Sequence, residues 1–153
     1  RDFFENQYQS LAQDAVTYLA TTFGDNAVKA FALSRANEML AKYSETLNKA
    51  KNVEEKVEIL SNFLTKDGFA ATADKGSGPT HTIQLCQHNC PIAHVAEQHP
   101  EFCEAELDAF SELLGVNVTR LSTIANGGNI CTSLVSTLPK TAVSSASQHK
   151  EKK

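Results

Sequence analysis

Four cysteines, Cys86, Cys90, Cys103 and Cys131, carry the most reactive chemistry in this sequence. A thiolate sulfur binds zinc and iron, acts as a nucleophile and responds to oxidants. Cys103 follows Cys90 by 13 positions and Cys131 follows Cys103 by 28. This spacing is neither the paired C-x-x-C of a zinc ribbon nor the C-x-x-C-x-x-C run of a ferredoxin. Spacing alone therefore leaves zinc, an iron–sulfur cluster and unligated buried thiols open.

The local settings of three of these cysteines favour a ligand role. Cys90 directly precedes Pro91, which suits the first turn of a helix. Because a helix N-terminus stabilises a thiolate, we expect the pKa of Cys90 to be lowered there. Cys103 is predicted to lie in the first turn of the next helix. Cys131 follows a Gly-Gly turn, where the backbone can come close to a bulky inorganic ligand.

The hydrophobic pattern predicts three helices followed by a mixed region. Apolar residues recur at helical spacing over residues 2–23 and again from Asp25 to about residue 47. Asn52 is a good N-cap with Glu55 three residues later, so a third helix is predicted from there to a stop near Gly68. Further along the chain we predict strands at 69–73, 80–86, 116–124 and 130–135, and helices at 91–98 and 100–114.

These elements predict an α+β fold with three regions. Residues 1–67 form a helical dimerisation region, and residues 68–135 form a small antiparallel-sheet domain with two short helices that carry the cysteines. Residues 136–153 are rich in Ser, Thr and Lys and are predicted to be a disordered tail. The helical region has too few partners of its own to bury every apolar stripe, and a second copy would bury them. The alternative is that these helices pack on the sheet.

The composition excludes several classes of protein. The net charge of −4 and the pI of about 5.7 do not suit a surface that neutralises phosphates. No stretch approaches the roughly 18 apolar residues of a membrane span, and we expect no signal peptide, because the chain opens without an apolar h-region. Free cysteines in a chain without an export signal favour the cytoplasm. Because the chain opens on Arg1 and its only methionine is Met39, we expect it to begin inside a longer protein or after a removed tag.

Four stretches around the cysteines resemble a known protein family, and this resemblance narrows the choice of cofactor. The stretches LCQHNCPIAHVA at 85–96, PEFCEAE at 100–106, LLG at 113–115 and RLSTIANGG at 120–128, ahead of Cys131, resemble the SufR family. These are winged-helix repressors of iron–sulfur-cluster assembly operons. The resemblance is dense over residues 80–135 and loose over the helical region.

The resemblance implies a cofactor and partners. Cys90, Cys103 and Cys131 would bind an iron–sulfur cluster, usually described as [4Fe–4S] in that family. The protein would be a homodimer that binds operator DNA through an N-terminal winged helix, which has no counterpart in this chain. No small-molecule substrate and no membrane partner are implied.

Three cysteines leave one iron of a four-iron cluster without a protein ligand. Cys86 is the nearest further sulfur, and imidazole can replace thiolate at iron. His94 is four residues after Cys90, and His99 is four residues before Cys103. Carboxylate oxygen is also available from glutamates near Cys103. The candidates for the fourth ligand are Cys86, His94, His99 and Glu106, besides a small-molecule thiol or water.

The functional hypothesis is a sensor and dimerisation portion of a repressor whose DNA affinity depends on its cluster. An incompletely thiolate-ligated iron is open to oxidants, nitric oxide and iron loss, which suits a sensor. One alternative is a zinc-stabilised or metal-free dimerisation domain of a regulator. Another is a thiol redox sensor. An enzyme is not predicted, since the sequence has no C-x-x-C and no nucleophile turn.

Overall fold

A computed structural model describes residues 2–76, 79–124, 127–128 and 130–138, with side chains from residue 7 onward. The helices are α1 (Asp2–Phe23), α2 (Asp25–Asn48), α3 (Val53–Lys66), α4 (Ala93–Gln98) and α5 (Glu101–Leu114). The strands are β1 (Ala71–Asp74), β2 (Thr82–Gln87), β3 (Val118–Ser122) and β4 (Cys131–Ser136). The predicted α+β fold, with its N-terminal helical region and antiparallel sheet, is confirmed.

The helix ends follow the local chemistry of the sequence. Gly24 separates α1 from α2 with a φ of 87°, a conformation that glycine adopts without steric cost. At α3 the predicted cap is present, because the Glu55 N–H donates to Asn52 Oδ1 at 2.9 Å. Glu55 Oε2 in turn accepts a hydrogen bond from the backbone N–H of Lys51 at 3.1 Å. Gly68, with a φ of 97°, follows the end of this helix.

The four strands form one antiparallel sheet in the order β1-β2-β4-β3. Strand residues alternate between the two faces of a sheet. In β2 the buried residues are Ile83, Leu85 and Gln87, and in β4 they are Cys131, Ser133 and Val135. The register pairs Gln87 with Cys131, so these two side chains lie on the same, buried face. Cys86 pairs with Thr132 and therefore lies on the other face.

The main hydrophobic core joins the helical region to the sheet. It combines residues of α2, α3 and α5 with those of the strands: Tyr43, Leu47, Val57, Leu60, Leu64, Ile83, Leu85, Phe110, Leu113, Leu114, Val116 and Val135. Thus α3 packs on the sheet, as in the alternative above, whereas α2 packs on α5 and α3. The predicted boundary at residues 67 and 68 falls between α3 and β1, and whether the two regions are separate folding units stays a prediction.

A second, smaller core lies between α1, α2, α4 and α5, with Val16, Val28, Ala32, Val95, Ala96 and Phe102 buried. Outside it, several large apolar side chains of α1 and α2 are exposed, namely Tyr8, Leu11, Tyr18, Phe23, Phe31 and Leu33. The homodimer stays a prediction. Of the predicted tail, residues 139–153 lie outside the described residues. Within the described part of the chain, every helix is too short or too polar to cross a membrane.

Candidate functional site

Three cysteines from three different elements come together at one end of the sheet. Cys90 lies in the turn before α4, Cys103 in the first turn of α5, and Cys131 at the start of β4. Cys131 and Cys103 both interact electrostatically with Cys90 and act to raise its pKa, and Cys131 acts on Cys103 in the same way, so the three sulfurs lie within electrostatic reach of one another. All are free thiols. The three cysteines therefore lie near one another, and their role as ligands stays a prediction.

The expected lowering of the Cys90 pKa is wrong. Burial raises the pKa of this thiol to about 11, against the hydrogen bond that the Ile92 N–H donates to it. The charge of Glu106 raises it further. Burial removes solvation that would stabilise the thiolate. The single N–H hydrogen bond at the start of the six-residue α4 stabilises the thiolate by less than this loss. Near neutral pH Cys90 is a protonated thiol.

Cys103 and Cys131 have different surroundings. Burial also raises the pKa of the Cys103 thiol, followed by the charge of Glu106, while Arg120 acts in the opposite direction. Cys131 is buried, and its Sγ accepts a hydrogen bond from the Ile124 N–H at 3.2 Å. The site therefore holds half-buried and buried sulfur beside one acidic and one basic side chain.

These charged side chains belong to a closed ring of three buried polar groups. Gln87 Nε2 donates to Glu106 Oε1 at 2.9 Å, and Arg120 Nη1 donates to Gln87 Oε1 at 3.4 Å. Arg120 Nη2 lies 3.7 Å from Glu106 Oε2, which closes the ring. The Glu106 and Arg120 side chains are only 13% and 12% exposed. The ring thus links α5 to β2 and β3 directly beside the cysteines.

Hydrogen bonding in the ring is incomplete. Arg120 Nε and Nη2 are buried and have no hydrogen-bond partner, since 3.7 Å is longer than a hydrogen bond. Burial raises the pKa of the Glu106 carboxyl, and the nearby Arg120 guanidinium opposes that effect. A buried cation with unpaired donors is costly unless an anionic group faces it. The donors of Arg120 are thus suited to a site that gains negative charge.

Sequence reasoning missed Gln87 and Arg120. The signal for Gln87 was present, because Ile83 and Leu85 are alternate residues of one strand and Gln87 continues the same series. That series also places Cys86 on the opposite face. Arg120 gave a similar signal, because it lies two residues after Val118 in β3 and pairs with the buried Ser133, as Val118 pairs with the buried Val135.

The structure separates the four candidates for the fourth ligand. Cys86 lies on the face of the sheet opposite to Cys131. His94 is exposed, and its backbone oxygen accepts a hydrogen bond from Gln13 Nε2 at 3.1 Å. His99 has a buried Nε2 without a hydrogen-bond partner. Of the four, Glu106 alone has a charge that raises the pKa of both Cys90 and Cys103.

The glycine turn before Cys131 has another role than the one expected. A Cβ atom on Gly128 would lie 2.7 Å from the backbone oxygen of Thr123, a severe clash. The Gly128 N–H also donates to that oxygen at 2.9 Å. The close approach is therefore between the two arms of the β3–β4 connection, and it fixes where β4 and Cys131 begin.

The donor set suits a thiophilic metal group, although the side chains do not yet surround a single ion. Soft thiolates select zinc, copper(I) and iron–sulfur clusters, and carboxylate oxygen can complete such a set. Among the described residues, no three His, Cys, Asp or Glu side chains stand in a position to hold one metal ion. Binding a metal group here thus requires the side chains of Cys90, Cys103 and Cys131 to close on it.

An apolar cleft of about 160 Å³ lies next to this site, between α1, α2, α4 and α5. It is lined mainly by Val16, Phe31, Ile92, Val95 and Phe102, and Arg35 is the charged residue of the lining. Phe31 and Phe102 meet edge to face, with ring centres 5.8 Å apart. Phe102 immediately precedes Cys103, so a molecule in the cleft would touch the helix that carries this cysteine.

Comparison with known proteins places the fold. No family model matches the chain, and no curated protein matches it. The phenol-responsive sensory domain of the transcription activator PoxR is similar in structure, with a TM-score of 0.59 and 11% identity, over 84% of this chain and 74% of that one. Looser similarity links the chain to an H-NOX protein from S. oneidensis, with a TM-score of 0.48 and 12% identity, over 80% of this chain and 72% of that one. At this identity the PoxR comparison concerns the fold alone.

Proposed function

We propose that this chain is the sensor portion of a transcriptional repressor of iron–sulfur assembly genes, and that Cys90, Cys103 and Cys131 bind its cluster. The observation that carries the proposal is the convergence of these three thiols from separate elements beside Glu106 and Arg120. The SufR resemblance supports a [4Fe–4S] cluster over zinc. A fold similar to a sensory domain of a transcription activator is compatible with this role.

The cysteines would supply the thiolate ligands, and the cluster when bound would supply sensitivity to oxidants and to iron supply. Cys90 and Cys103 must each lose a proton to bind, and the pKa of each is raised. Binding therefore releases protons, and the affinity for the metal group rises with pH. Arg120 lies where its positive charge offsets the charge that the Cys103 thiolate would acquire.

The positions of the three cysteines suggest how cluster loss would be transmitted. A bound group would tie the turn before α4, the first turn of α5 and the start of β4 to one point. Because α5 packs along α2, release of that tie would change the support of the helical region. The exposed apolar side chains of α1 and α2 suit contact with a second copy of the chain. The homodimer would then carry the change to a winged helix outside this chain.

Anaerobic preparation tests the cofactor. A brown protein with broad visible absorption, roughly equal iron and sulfide, and loss of colour in air would support the proposal. A colourless protein with tightly bound zinc would favour the zinc-stabilised alternative, and the absence of any metal would contradict both.

The regulatory part requires the longer protein with its winged helix. We expect operator affinity and dimer geometry to change when the cluster is removed. Unchanged operator affinity and unchanged small-angle scattering after cluster removal would contradict the sensing mechanism.

A second candidate function is favoured by the apolar cleft. The PoxR sensory domain responds to phenol, and a cavity near 150 Å³ can hold a benzene-sized molecule. The cleft of about 160 Å³ beside Phe102 is of that size. Calorimetric titration with phenol tests this candidate: saturable binding that is lost in Phe31→Ala would support it, and no heat of binding would exclude it for phenol.

A further inference from the structure

Glu106 occupies the position among the candidates that links all three cysteines. It is three residues after Cys103 on α5, and residues three apart lie on the same side of a helix. Its carboxylate accepts a hydrogen bond from Gln87, whose strand partner is Cys131. Its charge also reaches Cys90. The other three candidates lack this combination of neighbours.

The two oxygens of Glu106 are in different situations. Oε1 is fixed by the 2.9 Å hydrogen bond from Gln87 Nε2. Oε2 faces Arg120 Nη2 at 3.7 Å, which is an ion pair without a hydrogen bond. A carboxylate ligand of a metal is usually fixed by a hydrogen bond of this kind through the oxygen that does not bind the metal. One oxygen of Glu106 is thus held by a hydrogen bond, and the other is held only by the longer ion pair with Arg120.

We propose that Glu106 is the fourth ligand of the group bound by Cys90, Cys103 and Cys131, and that Gln87 and Arg120 are its positioning residues. This inference rests on the proposed function. It adds the identity of the ligand at the iron that the cysteines leave uncovered, and it assigns that ligand to oxygen rather than sulfur or nitrogen.

An oxygen ligand has a consequence for the proposed sensor. Carboxylate is a harder ligand than thiolate and holds iron of a sulfur-rich group less firmly. An iron bound by Glu106 would differ spectroscopically from the irons bound by cysteine, and it would be the first iron to leave the cluster. Gln87 and Arg120 control this step, because they hold the carboxylate in place.

The experiment compares the wild-type chain with Glu106→Gln and Glu106→Cys after anaerobic reconstitution with ferrous iron and sulfide. Glu104→Gln is the matched control, since it removes the same charge two residues away at an exposed position. The readouts are the Mössbauer spectrum with isotopically enriched iron and the rate of bleaching in air.

We expect one distinct iron in the wild type and in Glu104→Gln. Glu106→Cys should make the irons alike and slow bleaching by about tenfold, and Glu106→Gln should alter the distinct iron and speed bleaching by about tenfold. If both Glu106 variants keep the wild-type spectrum and rate, the inference is overturned while the proposed function stands. If the wild type takes up no iron and sulfide, the proposed function fails and this inference with it.

A further variant guards against misfolding. Glu106→Gln leaves the buried Arg120 without its partner, so the double variant Glu106→Gln, Arg120→Met removes both charges together. We expect it to fold, by circular dichroism, and to show the same altered iron as Glu106→Gln. A wild-type Mössbauer spectrum in this folded double variant would equally overturn the assignment.

Discussion

The two ends of the buried sheet face differ in the residues that cover them. At one end, Ile83 pairs with Val135 between β2 and β4, and both belong to the apolar core with Phe110. At the other end, Gln87 pairs with Cys131, and the face is covered by Glu106 and Arg120. The apolar end stabilises the fold through burial, whereas the polar end brings the unpaired donors of Arg120 and the three thiols together, where a bound group would use them. Apolar burial and the polar candidate site are thus separated along one sheet.

The largest expected effect concerns the apolar end. Phe110 is fully buried, so Phe110→Ala should lower the free energy of unfolding by about 3–5 kcal/mol. Urea denaturation of the metal-free protein measures this change. Cys103→Ser, at the polar end, should cost less than about 1 kcal/mol in the same assay, because the side chain is only half-buried and a hydroxyl of similar size replaces the thiol. Equal costs at the two positions would contradict the separation.

The next effect concerns the ion pair of the polar end. Arg120→Met leaves Glu106 buried without its cation and should cost about 2–4 kcal/mol. The double variant with Glu106→Gln should recover much of that loss, since both charges are then removed. A double-mutant cycle by urea denaturation checks the coupling. Strict additivity would show that the two side chains do not interact.

A smaller effect is expected in the connection that positions Cys131. Gly128→Ala places a Cβ atom 2.7 Å from the Thr123 oxygen and should cost about 2 kcal/mol. Gly127, whose φ is 90°, has no atom within 4 Å of such a Cβ. Gly127→Ala is therefore the matched control, with a cost of about 1 kcal/mol from backbone strain alone. Thermal unfolding distinguishes the two, and the reverse order would contradict the account of this connection.

The smallest effect is the alkaline response of the metal-free protein. The folded pKa of Cys90 is about 11, above its usual 9.0, so the folded state holds this proton more tightly than the unfolded state. The resulting stability is complete below pH 9.0 and is lost as the pH rises through about 11. Allowing for solvent screening at this half-buried thiol, we expect a loss of about 1 kcal/mol. Urea denaturation at rising pH should show it in the wild type and less of it in Cys90→Ser.

Much of the fold follows from local sequence signals. The helical spacing of apolar residues marks α1 to α3, and the Asn52 and Glu55 pattern marks the start of α3, where the predicted hydrogen bond is present. Period-two alternation marks β2 and β4. These signals act over a few residues, so they can be recognised without knowledge of the tertiary structure.

The candidate site depends on tertiary contacts that local patterns do not encode. Gln87 and Glu106 are 19 positions apart, and Gln87 and Arg120 are 33 apart. The pKa of Cys90 was mispredicted for the same reason, since the helix start was visible in the sequence and the burial was not. The position of Cys86, in contrast, could be predicted from the sequence. Ile83 and Leu85 share one face of β2, so the next residue, Cys86, lies on the opposite face.

The most direct test of the central claim is the iron content of four single variants after anaerobic reconstitution with ferrous iron and sulfide. Cys90→Ser, Cys103→Ser and Cys131→Ser should each lose most of the bound iron, while Cys86→Ser, on the opposite face, should keep the wild-type amount of about four irons per chain. Circular dichroism of each metal-free variant controls for folding. Loss of iron in Cys86→Ser, or full retention in any of the other three, would contradict the account.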